Sequence, residues 1–113
     1  MPLGRERPKP GPPPEVAAAE PVLRALADPM RAAIVELLAG EQLCTCHLQE
    51  ALGAKQTLVS HHLRWLRDAG VVLPEPCGRF TYYRLAPGAF DAARDALAGM
   101  ATAAAATAPK RAC

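Results

Sequence analysis

The chain has 113 residues, a length that allows one domain, and a domain this small buries only about 65% of its unfolded surface, so a partner subunit would help it. Half of the residues are hydrophobic, 21% are charged and the formal net charge is +2, which excludes a wholly disordered chain. No apolar run reaches the roughly 18 residues of a transmembrane helix.

Residues 1–14 hold six of the twelve prolines and almost no apolar side chains. They are expected to form a disordered tail. They contain no apolar signal-peptide core, so a cytoplasmic location is expected. Four cysteines in such a chain read as thiols or metal ligands before disulfides.

From Glu15 the character changes. Val16 to Ala19 and Val22 to Leu26 suggest a first helix, bent or restarted at Pro21. Asp28-Pro29 is a helix start, with Asp as N-cap and Pro at the first helical position. The second helix then runs to about Ala39, buries Met30, Ile34, Leu37 and Leu38, and stops at Gly40. A third, short helix covers roughly Thr45 to Leu52 and ends at Gly53. A fourth runs from about Gln56 to Ala69, with Val59, Leu63 and Leu66 as its apolar stripe and Arg64 and Arg67 on another face. Two such helices joined by a tight Gly-containing turn form a helix-turn-helix pattern.

Val71-Val72-Leu73 reads as a short strand, Pro74 to Gly78 as turn chemistry, and Arg79 to Leu85 as the return strand. A hairpin in this place is a wing. Beyond Pro87-Gly88, the residues Phe90, Ala93, Leu97 and Met100 recur on a last, Ala-rich helix whose small side chains permit close packing against a partner. The fold class expected is mainly α with a small β-hairpin, a dimeric winged helix-turn-helix. Its domain spans residues 15–106, followed by a flexible tail at 107–113.

Charge is unevenly placed. Residues 15–54 carry two basic and six acidic side chains, whereas residues 55–84 carry five basic and two acidic ones. The second segment suits a polyanion. Lys55, Gln56, Thr57, Ser60 and His61 crowd the first two turns of the fourth helix, where they can meet base edges or phosphates. The helix dipole adds positive potential there. Arg64 and Arg67 follow on the same helix, and Arg79, Tyr83 and Arg84 lie on the wing. Together they are the candidate DNA contacts to double-stranded operator DNA. The plain alternative for any one of them is a solvated polar face. His61 and His62 point about 100° apart and do not chelate one ion; one is expected to face DNA and the other the interior.

Cys44-Thr45-Cys46 sits where the third helix begins. Within a regular helix, residues two apart diverge by about 200°. At a helix start they can converge if the first turn distorts, because the N-cap is not yet helical. A helix N-terminus also favours the anionic thiolate, the form that binds soft ions. Cys is a poor substitute for a Ser or Thr cap. The alternative is a pair of small buried hydrophobes. Cys44 and Cys46 are the candidate metal ligands. Cys77, in the wing turn, and Cys113, at the last position, each stand alone.

These residues resemble the ArsR/SmtB family of winged-helix, metal-responsive repressors. The likeness lies in Leu26 to Arg31, Glu41 to Leu48, Gln56 to Leu63, Leu66 to Gly70 and Gly78 to Leu85, and extends over about residues 20–100. It implies a homodimer held by the first and last helices that blocks a promoter until an ion binds. A CxC in this place implies arsenite or antimonite as inducer, with cadmium or lead as the alternative. His47 stands where arsenite sensors of this type have an acid, and Gln49 where some have a third Cys. A third ligand would be Cys77, Cys113 or none. The last helix has Asp91 and Asp95 but no His, so the resemblance implies no zinc site there and no organic cofactor.

Three other readings use the same residues. The thiols could oxidise or persulfidate instead of binding an ion, although a disulfide two residues apart would be strained. A CxC enzyme of the thiol–disulfide class lacks its βαβ pattern here, so no catalytic residue and no enzymatic activity are expected. A winged helix used only for protein contact conflicts with the basic segment.

Overall fold

The computed structural model describes residues 10–113. The order is α1 (Pro14–Leu26), α2 (Pro29–Gly40), β1 (Leu43–Cys44), α3 (Thr45–Leu52), α4 (Gln56–Asp68), β2 (Val72–Cys77), β3 (Phe80–Leu85) and α5 (Asp91–Ala105). Most of the expected tail, residues 1–9, lies outside the described residues. Residues 10–13 are exposed and lead directly into α1.

Helix α1 is continuous through Pro21. It is neither restarted nor ended there, because Ala19, Val22 and Ala25 are buried on its inner face and hold both halves in place. Asp28 caps α2 as expected. Its carboxylate accepts from the Met30 and Arg31 amides at 2.9 and 3.1 Å. Arg31 then ties three helices together. Its Nε donates to the Ala25 carbonyl at 3.0 Å, its Nη2 donates to the Arg24 carbonyl at 3.2 Å, and its guanidinium lies 3.9 Å from the centre of the Trp65 ring. The carbonyls at the end of α1 are thus satisfied by a cation that also stacks on α4.

The expected stripe of α4 is the centre of the core. Val59, Leu63 and Leu66 are almost fully buried and meet Ile34 and Leu38 of α2, Leu48 of α3, and Val71 and Val72. Each large aliphatic side chain buried this way contributes about 1.5–3 kcal/mol. His62 is buried beside them and His61 is exposed, as the divergence of neighbours on a helix requires. Gly53, at φ +60°, closes α3 in the left-handed conformation that only glycine adopts without strain.

Two features depart from the sequence reading. The wing is longer than expected: β2 continues through Pro74, Glu75 and Pro76, which pair with Tyr83, Tyr82 and Thr81. The turn is confined to Gly78-Arg79, with Gly78 at φ +61°. Prolines survive here because β2 is an edge strand, so their missing N–H groups cost no ladder bond. The sheet also has a third member. The two residues of β1 pair antiparallel with β3, Leu43 opposite Tyr83 and Cys44 opposite Tyr82, giving the strand order β1-β3-β2.

Candidate functional site

The exposed side of α4 carries the expected polar row. Lys55, Gln56, Thr57, Ser60, His61, Arg64 and Arg67 are all exposed. Lys55 is the N-cap and makes no side-chain cap bond, which leaves the first amides of α4 open to an anion. A polar cleft of about 190 Å³ lies between α4 and the wing. Ser60, Arg64, Arg67 and Tyr83 line it, so one wing residue is brought against the helix row. Arg79 is exposed at the wing turn. Arg84 is placed differently: its Nε donates to the Glu75 carboxylate at 2.6 Å across the hairpin. Its guanidinium therefore braces the wing.

The two thiols occupy contrasting surroundings. Cys44 is 5% exposed and ends β1, while Cys46 is exposed in the first turn of α3. The divergence expected of residues two apart is therefore present. Cys44 is also the N-cap of α3. The third residue of the helix, His47, completes that start. The Cys44 amide donates to His47 Nδ1 at 3.1 Å, and Cys44 Sγ lies 3.2 Å from the same nitrogen. This is the backbone half of a capping box, with an imidazole in the place of the usual carboxylate or amide. Because Nδ1 accepts, the ring proton resides on Nε2. The His47 ring packs against Tyr82, with centroids 5.9 Å apart. Among the described residues, no three His, Cys, Asp or Glu side chains are already gathered closely enough to hold a metal ion.

Cys77 is exposed at the end of β2 and Cys113 is exposed in the tail. Cys77 and Tyr82 line one shallow cavity with Gln42, Glu75 and Pro76, and neither Cys44 nor Cys46 lines it. Sequence reasoning passed over His47 and Tyr82. An N-cap at position 44 would have pointed to residue 47, the partner position of a capping box. Tyr82 carried no such cue, because its role depends on β1.

A family model described as bacterial regulatory protein, arsR family, matches residues 28–73, from the cap of α2 to the start of the wing. The chain is 51% identical over 79 residues to the HTH-type transcriptional repressor SmtB of Mycobacterium tuberculosis, over 68% of this chain and 58% of that protein. It is 43% identical over 68 residues to the arsenical resistance operon repressor of Escherichia coli, over 58% of this chain and 57% of that protein. The matches thus span somewhat over half the length of these two relatives. Among solved structures, one described as a possible transcriptional regulator for arsenical resistance superposes with a TM-score of 0.64 and 32% identity, covering 78% of this chain and 96% of that one. With the winged helix-turn-helix, the polar face of α4 and these likenesses together, the chain belongs to the ArsR/SmtB family of bacterial transcriptional regulators.

Proposed function

We propose that the chain is a cytoplasmic transcriptional repressor that binds operator DNA as a homodimer and is released when trivalent arsenic or antimony bridges Cys44 and Cys46. The observation that carries this reading is the position of Cys44. It is the last residue of β1, paired with Tyr82 of the wing, and the N-cap of α3. An ion that draws Cys46 toward Cys44 distorts the first turn of α3. That distortion has two ways to the DNA face. One passes through Leu48, which is fully buried against the core that seats α4. The other passes along β1 into β3 and the wing. A ligand displaces the repressor only through its preference for the distorted state. A coupling of about 1–3 kcal/mol lowers operator affinity about 5–150-fold.

The DNA side rests on Lys55, Gln56, Thr57, Ser60, His61, Arg64 and Arg67 of α4, with Arg79 and Tyr83 from the wing; Arg84 takes part by holding the hairpin in shape. Two copies of α4 would enter successive major grooves, with half-sites roughly 34 Å apart. The dimer reading is supported by the outer face of α1 and α5. Leu97 and Met100 are about half exposed, and an apolar groove there is lined by Val16, Ala18, Ala96, Gly99 and Met100.

The test is an operator gel shift with the double variant Cys44→Ser, Cys46→Ser. Ser is a good cap, so the variant should bind operator as the unaltered chain does and stay bound in arsenite. Normal release by arsenite from the double variant would overturn the proposal. A companion titration with peroxide separates the redox alternative, which would release the unaltered chain without arsenite.

A further inference from the structure

Cys44, Cys46 and His47 place two sulfurs and one imidazole nitrogen within four consecutive residues of one helix start. Two of these donors are already side by side: Cys44 Sγ and His47 Nδ1 are 3.2 Å apart. With metal–sulfur and metal–nitrogen bonds of about 2.3 and 2.1 Å, that gap corresponds to a bond angle of about 93°, and widening it to about 3.6 Å gives the tetrahedral value. The nitrogen is in the right chemical form. Nδ1 accepts the Cys44 amide proton, so it carries a lone pair, and the ring is held by Tyr82. The remaining donor, Cys46, is exposed and free to turn.

We propose that His47 is the third donor of the Cys44–Cys46 site, through Nδ1, and that this nitrogen opens the site to a thiophilic divalent cation in addition to a trivalent one. The proposal rests on the reading of Cys44 and Cys46 as effector ligands and adds what decides their selectivity. Thiolates alone suit the softest ions. A mixed set of two thiolates and an imidazole suits borderline divalent ions that take four ligands, the fourth being water. Binding costs the Cys44 amide its partner, so the same event that completes the coordination shell uncaps α3. For a trivalent ion held by sulfur, His47 keeps its capping role.

Cobalt(II) is the probe, because tetrahedral thiolate coordination gives it characteristic visible and near-ultraviolet absorption. The experiment titrates the reduced, full-length chain and the variant His47→Gln. Gln at this helix position can still reach back to the Cys44 amide, so the cap is kept and only the nitrogen donor is lost. The expected result is a tetrahedral cobalt spectrum with a thiolate charge-transfer band in the unaltered chain. In His47→Gln its affinity should fall about 10-fold or more, since even outer-shell partners of metal ligands are worth that much. Arsenite affinity should change less than about 3-fold. A second readout needs no variant: nitrogen NMR of the unaltered chain should show the His47 Nδ1 resonance coupled directly to bound cadmium. Equal cobalt affinity in both proteins, or cadmium bound without that coupling, overturns the role of His47. Arsenite release that persists in Cys44→Ser, Cys46→Ser overturns the arsenic reading instead and leaves the cobalt comparison to judge His47 by itself.

Discussion

Helices α2 and α3 both start at a residue in extended conformation, yet the two starts are made of different chemistry. At α2, a carboxylate accepts two amides at 2.9 and 3.1 Å, a proline fills the first helical position, and Arg31 extends the junction to α1 and Trp65. At α3, a thiol stands at the cap and the cap amide is satisfied by an imidazole. Charged oxygen acceptors make strong caps, whereas sulfur is a weak acceptor and a strong ligand for soft ions. One helix start is fastened to the core. The other is held by groups that a metal ion competes for.

The sharpest way to break this contrast is to give α3 an ordinary cap. Cys44→Ser should raise the melting temperature or leave it unchanged, and should abolish the 5–150-fold loss of operator affinity expected in arsenite; operator titrations with and without arsenite measure it. The reverse experiment weakens α2. Asp28→Ala should lower the melting temperature by about 4–8 °C and leave the ratio of operator affinities with and without arsenite unchanged.

A third effect, smaller near neutrality, is acid sensitivity confined to the α2–α4 side. Burial pushes His62 below its ordinary value of 6.5, Asp28 being the main opposing influence. The folded chain therefore keeps His62 neutral where the unfolded chain has begun to protonate it. Stability from this residue is complete above pH 6.5 and declines as the pH falls through the interval below. Asp28 is itself held below 3.8, chiefly by the hydrogen bond from the Arg31 amide. Its contribution is present above that value and is lost only at lower pH. Urea titrations between pH 7.5 and about 5 should show the first decline, and His62→Gln should flatten it. The smallest expected effect is that of Cys77→Ser. The wing thiol lies in a cavity that neither Cys44 nor Cys46 lines, so operator binding and arsenite affinity should stay within about 2-fold, as measured by gel shift and direct titration. A loss as large as that of Cys44→Ser would show that the two thiol regions act together.

Much of this contrast was legible in the sequence, and the parts that were not have a common cause. Asp28-Pro29, the Val59, Leu63 and Leu66 stripe, and the CxC at a helix start are local patterns, and each lies where its spacing predicts. The opposite fates of His61 and His62 follow from helical geometry alone. Strand β1 was not legible because two residues carry no periodicity; only β3 beside them makes them a strand. Pro74 and Pro76 read as turn residues because the tolerance of an edge strand for proline depends on which strand lies outermost. Arg84 reads as one more basic wing residue until the register sets Glu75 close enough to bind it. In the last helix the expected stripe divides: Ala93 is buried, whereas Leu97 and Met100 are half exposed, as a face awaiting a second copy would be.

The prolines of β2 bear on how copies of this chain can meet. A bare strand edge is a template on which another chain can add, and repeated addition leads to aggregates. Here one margin of the sheet is β2, where Pro74 and Pro76 offer no amide hydrogens, and the other is β1, only two residues long. Neither margin can seed a growing ladder. Self-association is thereby steered away from the sheet and toward helical surfaces, where contact between two like faces is closed and stops at a pair. A wing that must reach into a groove of DNA can then be long and exposed without making the protein prone to polymerise.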